Sequence, residues 1–106
     1  MASELRRTEN EFILQTRNEL VANKVKDIAP GDIGESIELK FLCECSDLNC
    51  GEHITLRIDE YQNVTKLVGQ FIVFPLHERI DIEAIVATYP RFNIVQKRKD
   101  LIQRAL

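Results

Sequence analysis

Tryptophan is missing from this chain, and aromatic residues of any kind make up only 7% of its 106 residues. Proteins that grip single-stranded nucleic acid stack its bases on aromatic side chains, so that mode is poorly provided for. No apolar run approaches the roughly 20 residues of a membrane span. The stretch from Met1 to Glu11 is polar and charged, unlike a secretory signal. A cytoplasmic chain with no membrane attachment is expected, with thiols reduced and disulfides absent. Histidine is scarce, with only His53 and His77, which leaves little material for proton-transfer catalysis. There is no internal repeat and no low-complexity segment.

What is present suits one domain: 44% of the residues are hydrophobic, enough for a core. A chain this short buries a limited fraction of its surface, and a bound metal would help to hold it. The net charge of −3 is unevenly spread. Residues 1–28 carry five basic and five acidic side chains, residues 29–90 four against eleven, and residues 91–106 five against one. An acidic middle repels a phosphate backbone, which weighs against general nucleic-acid binding and leaves only a small contact through the basic tail.

All three cysteines fall in one cluster, Cys43-Glu44-Cys45-Ser46-Asp47-Leu48-Asn49-Cys50. Thiolates crowded in this way repel one another unless a cation holds them, so the C-x-C-x4-C spacing reads as a metal site, with Zn2+ the expected ion. In an extended segment residues i and i+2 share a face, so Cys43 and Cys45 can reach one ion. Four intervening residues return Cys50, with Asn49 and Gly51 supplying the tight backbone. Three sulfurs leave one tetrahedral position. His77, carried on a loop after a buried strand, is the favoured fourth ligand. His53 offers a C-x2-H chelate from the start of a strand, and water or a carboxylate would also complete the set.

Residues 4–28 read as an amphipathic helix, with Ile13, Leu20, Val21, Val25 and Ile28 recurring at helical spacing. Pro30, Gly31 and Gly34 end it in a hinge. Residues 37–41 and 54–58 alternate apolar and polar and predict a hairpin whose loop is the cysteine segment. Asp59, with Gln62 three residues on, predicts the N-cap of a short helix running to about Leu67 and stopped by Gly69. Strands are expected at 70–74, 83–88 and 92–96, and a last helical turn or a frayed end at 100–106. The expected fold class is α+β: an N-terminal amphipathic helix at 1–28, a zinc-clipped domain at 37–97 with a small, mostly antiparallel sheet and one short helix, and a basic tail at 98–106.

Phe41-Leu42-Cys43-Glu44-Cys45-Ser46-Asp47, Cys50, Ile54-Thr55-Leu56, Glu60-Tyr61, Val64, Phe71-Ile72-Val73, Pro75-Leu76-His77-Glu78 and Tyr89 together resemble a family of small bacterial proteins of the actinobacterial type. Its pattern runs F-x-C-E-C-S-D-x-x-C, then I-x-L-T-x-x-E-Y, then a strand closing in P-G-H-E and another ending in V-V-E-K. Asn10-Glu11 and Asn18-Glu19 look like the paired N-E steps of its N-terminal helix. The resemblance covers residues 10–97. It implies Cys43, Cys45, Cys50 and His77 as the metal set, with no fixed histidine at position 53, and it implies no activity. Leu76 stands where the family has glycine, and Gln96-Lys97 replaces its glutamate-lysine ending.

The function expected from these features is a non-catalytic structural-zinc module with a regulatory or protein-interaction role. A Cys3His site is closed, and three thiolates make zinc a poor Lewis acid. The N-terminal helix either packs on the sheet or docks into a partner's groove. One alternative is a nucleic-acid-binding regulator using Lys97, Arg98, Lys99 and Arg104, with Arg91. Another is a redox or metal sensor that releases zinc when its thiols oxidise. An enzyme is the least favoured reading, with Glu44 and Asp47 expected to shape the loop and hydrogen-bond around the ligands.

Overall fold

The computed structural model describes residues 3–29 and 31–106. In chain order the elements are α1 (Glu4–Ile28), α2 (Asp32–Ser36), β1 (Glu38–Leu42), β2 (His53–Arg57), α3 (Ile58–Thr65), β3 (Gln70–Val73), β4 (Glu83–Thr88), β5 (Asn93–Lys97) and α4 (Lys99–Ala105). The class is α+β, with two antiparallel sheets: the hairpin β1–β2, and a three-stranded sheet in the order β3–β5–β4. The hairpin closes with Leu42 opposite His53, and the cysteine segment forms its loop. Ile54 and Leu56 point inward from β2 and join Phe41, Tyr61, Ile72 and Ala22 in the main core, where Phe41 stacks on Tyr61 at 4.2 Å between ring centroids.

Several boundaries differ from expectation. Pro30, read as the helix stop, lies outside the described residues. The segment read as a hinge forms the short helix α2. It is a packed corner, since a Cβ on Gly34 would lie 3.3 Å from the Cα of Lys26. Helix α3 starts two residues earlier than Asp59 implies: Arg57 is its N-cap, and the Glu60 side chain accepts the Arg57 backbone N–H at 3.0 Å. Gly69 stands after that helix with φ +91°, and a Cβ there would fall 2.2 Å from Ile102 Cδ1, so both its conformation and its space require glycine. The C-terminus forms α4, which buries Leu101 and Ile102.

Helix α1 packs on the sheets, the first of the two roles considered for it, but not through the apolar repeat read from the sequence: Ile13, Leu20, Val21 and Ile28 are exposed, Ile28 by 81%, and of that repeat only Val25 is half-buried. Thr8, Glu11, Gln15, Asn18 and Ala22 face inward with Leu14. Those positions, spaced alternately by three and four, trace one face of a helix, but a polar one. A polar face can be buried where each group finds a partner. Thr8 Oγ1 donates back to Glu4 O at 2.9 Å, and Gln15 Nε2 donates to Gln70 O at 2.8 Å. The helix therefore packs on the sheets through amides and a carboxyl group.

Glu11 meets a buried ion cluster. Lys97 Nζ contacts the carboxyl groups of both Glu11 and Glu83, and all three side chains are essentially inaccessible to solvent. Lys97 therefore cannot serve as a surface cation, and Arg98 pairs with Glu4 and Asp100. Lys99, Arg104 and Arg91 remain on the surface. One ammonium cannot balance two buried carboxylates. Burial, seconded by the Glu83 charge, pushes Glu11 up to about 9 against the pull of Lys97. The unfolded chain loses this proton near the ordinary value of 4.5, whereas the folded chain keeps it to about 9. The contribution of Glu11 to stability therefore falls as pH rises through that window. Glu11→Gln, which cannot ionise, should gain stability over the unsubstituted chain between about pH 6.5 and about pH 8.5, read by urea unfolding. A difference that stays constant with pH would mean that Glu11 is ionised in the fold.

Candidate metal centre

Each ligand position is fixed by local backbone. Cys43 and Cys45 leave the end of β1 on one face and Glu44 on the other, as the period of two dictates. The sulfurs meet beneath the hairpin loop while Glu44 enters the core, fully buried. Ser46 takes φ +76°, uncommon for a residue with a Cβ, and the next backbone N–H, that of Asp47, donates toward the Cys45 sulfur. Cys50 repeats the arrangement with the N–H of Glu52, two residues on. Phe74 N donates to Cys43 Sγ at 3.1 Å. Asn49 and Gly51, expected to carry the tight backbone, have ordinary φ values, and Ser46 carries it instead.

His77 arrives on a turn. Its N–H donates to Phe74 O at 2.9 Å, Pro75 occupies the second position and Leu76 the third with φ +73°. This is the pattern of a type II turn, whose third position suits glycine. The Nδ1 atom of His77 lies 3.5 Å from Cys50 Sγ and 3.6 Å from Cys43 Sγ. Atoms about 2.3 Å and 2.0–2.1 Å from a shared centre at tetrahedral angles would be about 3.5–3.6 Å apart. All four ligand atoms lie within 4.8 Å of one another, close enough to bind a metal ion. His53 lies exposed at the start of β2 and is not part of this group.

The electrostatics of the sulfurs favour a cation. The Cys43 thiol donates to Cys45 and holds its pKa down to about 5, while Cys43 itself is pushed up by the same bond and by burial. Burial raises Cys50. Three thiolates in this space repel one another, and burial opposes each of them. A divalent ion would let all three ionise.

Around the ligands, α1 supplies amide clamps that spacing alone did not reveal. Asn10 Nδ2 donates to Ser46 O at 3.1 Å. Asn18 Oδ1 accepts from Leu42 N at 2.8 Å, and its Nδ2 donates to Leu42 O at 3.0 Å and to Glu44 Oε2 at 2.9 Å. The two asparagines thus pin both ends of the C-E-C segment. Glu44 also accepts from Tyr61 OH at 2.6 Å and from Ile72 N at 3.0 Å. Burial pushes its carboxyl group up to about 7 in spite of these donors. The earlier expectation that Glu44 shapes the loop takes this form, whereas Asp47 stays exposed and accepts the Asn49 N–H at 2.9 Å.

No family model, curated protein or solved structure matches this chain.

Two substitutions test this construction. Asn18→Ala removes three hydrogen bonds and leaves the Leu42 peptide group without its side-chain partner. It should lower unfolding free energy by about 2–4 kcal/mol, measured by chemical denaturation; a loss too small to measure would show that water replaces the amide. Leu76→Gly should raise stability by up to about 1 kcal/mol, since glycine relieves the left-handed strain and returns part of the gain as chain entropy. A melting temperature several degrees higher is the expected reading, and a lower one would mean that the leucine side chain stabilises the turn.

Proposed function

We propose that Cys43, Cys45, Cys50 and His77 hold one Zn2+ as a structural ion, and that the chain is a non-catalytic binding module with a regulatory or protein-interaction role in a reducing compartment. The observation that carries the proposal is the convergence of three sulfurs and one imidazole nitrogen within 4.8 Å of one another, with the nitrogen 3.5 and 3.6 Å from the Cys50 and Cys43 sulfurs. Three soft thiolates and a nitrogen suit zinc. Four protein ligands leave no open position for substrate, which supports a structural over a catalytic role. When bound, the ion supplies a crosslink between the β1–β2 loop and the turn after β3. The four side chains orient that crosslink, and the backbone N–H groups of Asp47, Glu52 and Phe74 stabilise the sulfur charge. The resemblance to the small bacterial family supports the same ligand set. Leu76 takes a positive φ where that pattern carries glycine, which supports the alignment.

The test is native mass spectrometry of the untagged chain beside His77→Ala and Cys45→Ser. One zinc per chain is expected, weakened or lost in His77→Ala. Cys45→Ser should lose metal and unfold, since binding at such sites is coupled to folding by about 10–16 kcal/mol. A fully metallated, stable Cys45→Ser protein, or zinc retained unchanged in His77→Ala, would overturn the assignment.

A further inference from the structure

We infer that the outward face of α1 is a docking surface for an acidic amphipathic helix of a partner protein. The inference rests on the reading of the chain as a binding module and is independent of the metal. Helix α1 buries a mostly polar face, with Leu14 and Ala22 as its buried apolar residues and Phe12 and Val25 half-buried at its edges, and it leaves a second row of apolar residues in solvent. Ile13, Leu20, Val21 and Ile28 are 37%, 64%, 54% and 81% exposed. At 100° per residue they fall within about 100° of arc and extend over about 22 Å of helix. The fold does not use these side chains, since α1 is anchored by Gln15, Asn18 and Glu11 on the opposite face. An apolar row on one helix face, interrupted only by cations and kept in water by a small domain, marks an interaction surface.

Charge selects the occupant. Arg17 and Lys24 lie on the same arc, between the apolar residues, and neither forms an ion pair among the described residues. Next to Ile13 the stripe opens into a hollow of about 420 Å³ between α1 and the end of α4, lined by Arg6, Glu9, Phe12, Ile13, Arg17 and Ala105 among others. Arg6 and Arg17 rim it, and Glu9 is its single acid. A helix that inserts an apolar side chain into this hollow and lays carboxylates against Arg17 and Lys24 fits the surface. A second copy fits worse. An antiparallel pair centred on Leu20 and Val21 sets Arg17 against the other copy's Lys24, and a parallel pair sets each cation against itself.

The test uses the zinc-loaded full chain and two labelled probes: a helix-forming peptide with a leucine stripe flanked by glutamates, and a twin in which lysine replaces every glutamate. The glutamate peptide should bind at least about tenfold more tightly than its twin by fluorescence anisotropy. Leu20→Asp should abolish binding, and Arg17→Glu/Lys24→Glu should invert the preference between the peptides. Equal binding of the twins, no binding of either, a dimer that Leu20→Asp dissolves, or preferential binding to phosphatidylglycerol vesicles would each overturn the proposal. Zinc content is read on the same samples. Peptide binding by a chain that takes up no zinc would leave the docking face standing and remove the metal assignment, and a zinc-loaded chain that ignores the peptide would do the reverse.

Discussion

The Glu44 carboxylate is the contact on which the rest of this architecture turns. It stands between Cys43 and Cys45, so the strand geometry that sends both sulfurs to one side sends it to the other, into the core. There it collects donors from three elements: Asn18 of α1, Tyr61 of α3 and the Ile72 amide of β3. A buried carboxylate with only one such donor would be expensive to keep; with three it becomes a joint between the helices and both sheets. The cysteine loop is therefore tied to the core through Glu44, and a metal at the sulfurs would tie the same loop to the turn that carries His77.

The same logic extends along α1. Asn10, Gln15 and Asn18 pair with backbone groups of the cysteine loop, β3 and β1, and Glu11 closes on Lys97 and Glu83. Such contacts contribute less net stability than apolar packing, because each replaces a bond to water. They do have direction. A leucine on this face could slide by a fraction of a turn, whereas the two-point pairing of Asn18 with Leu42 allows one register. Buried polar groups that fix register at some expense in stability are known from coiled coils, and α1 uses amides to the same end.

Much of the fold was legible because its signals are local. The alternation of Ile37–Phe41 and Ile54–Ile58, the spacing of Cys43, Cys45 and Cys50, and the length of the N-terminal helix each depend on neighbouring residues; the hairpin strands stand one residue from where those patterns place them, with Ile58 opening α3, and α1 spans the residues expected of it. The convergence of the three cysteines with His77 was legible for the same reason, since a loop after a buried strand can return to a nearby hairpin. What could not be read depends on distant partners. Nothing local marks Asn18 as the clamp of Leu42, or Lys97 as a buried ion rather than a tail cation. Leu76 gave one partial signal: it occupies the place of a glycine in the resembling pattern, and the positive φ there explains why glycine suits it.

The face of α1 shows what periodicity alone leaves open. A helical repeat of apolar residues reports that a stripe exists, not which side of the stripe the molecule occupies. The rule that the stripe faces the core assumes that polar groups have nowhere to go but water. Here they go to strand-end carbonyls and amides, to the Glu44 carboxylate and to a lysine, all supplied by the same chain. Once most of the polar face finds partners inside the molecule, the apolar row is left over, and its exposure becomes informative instead of anomalous. A solvated surface helix would be expected to carry charge at positions 13, 20, 21 and 28. That it carries isoleucine, leucine, valine and isoleucine, with cations between them, implies that water is not the permanent neighbour of that face.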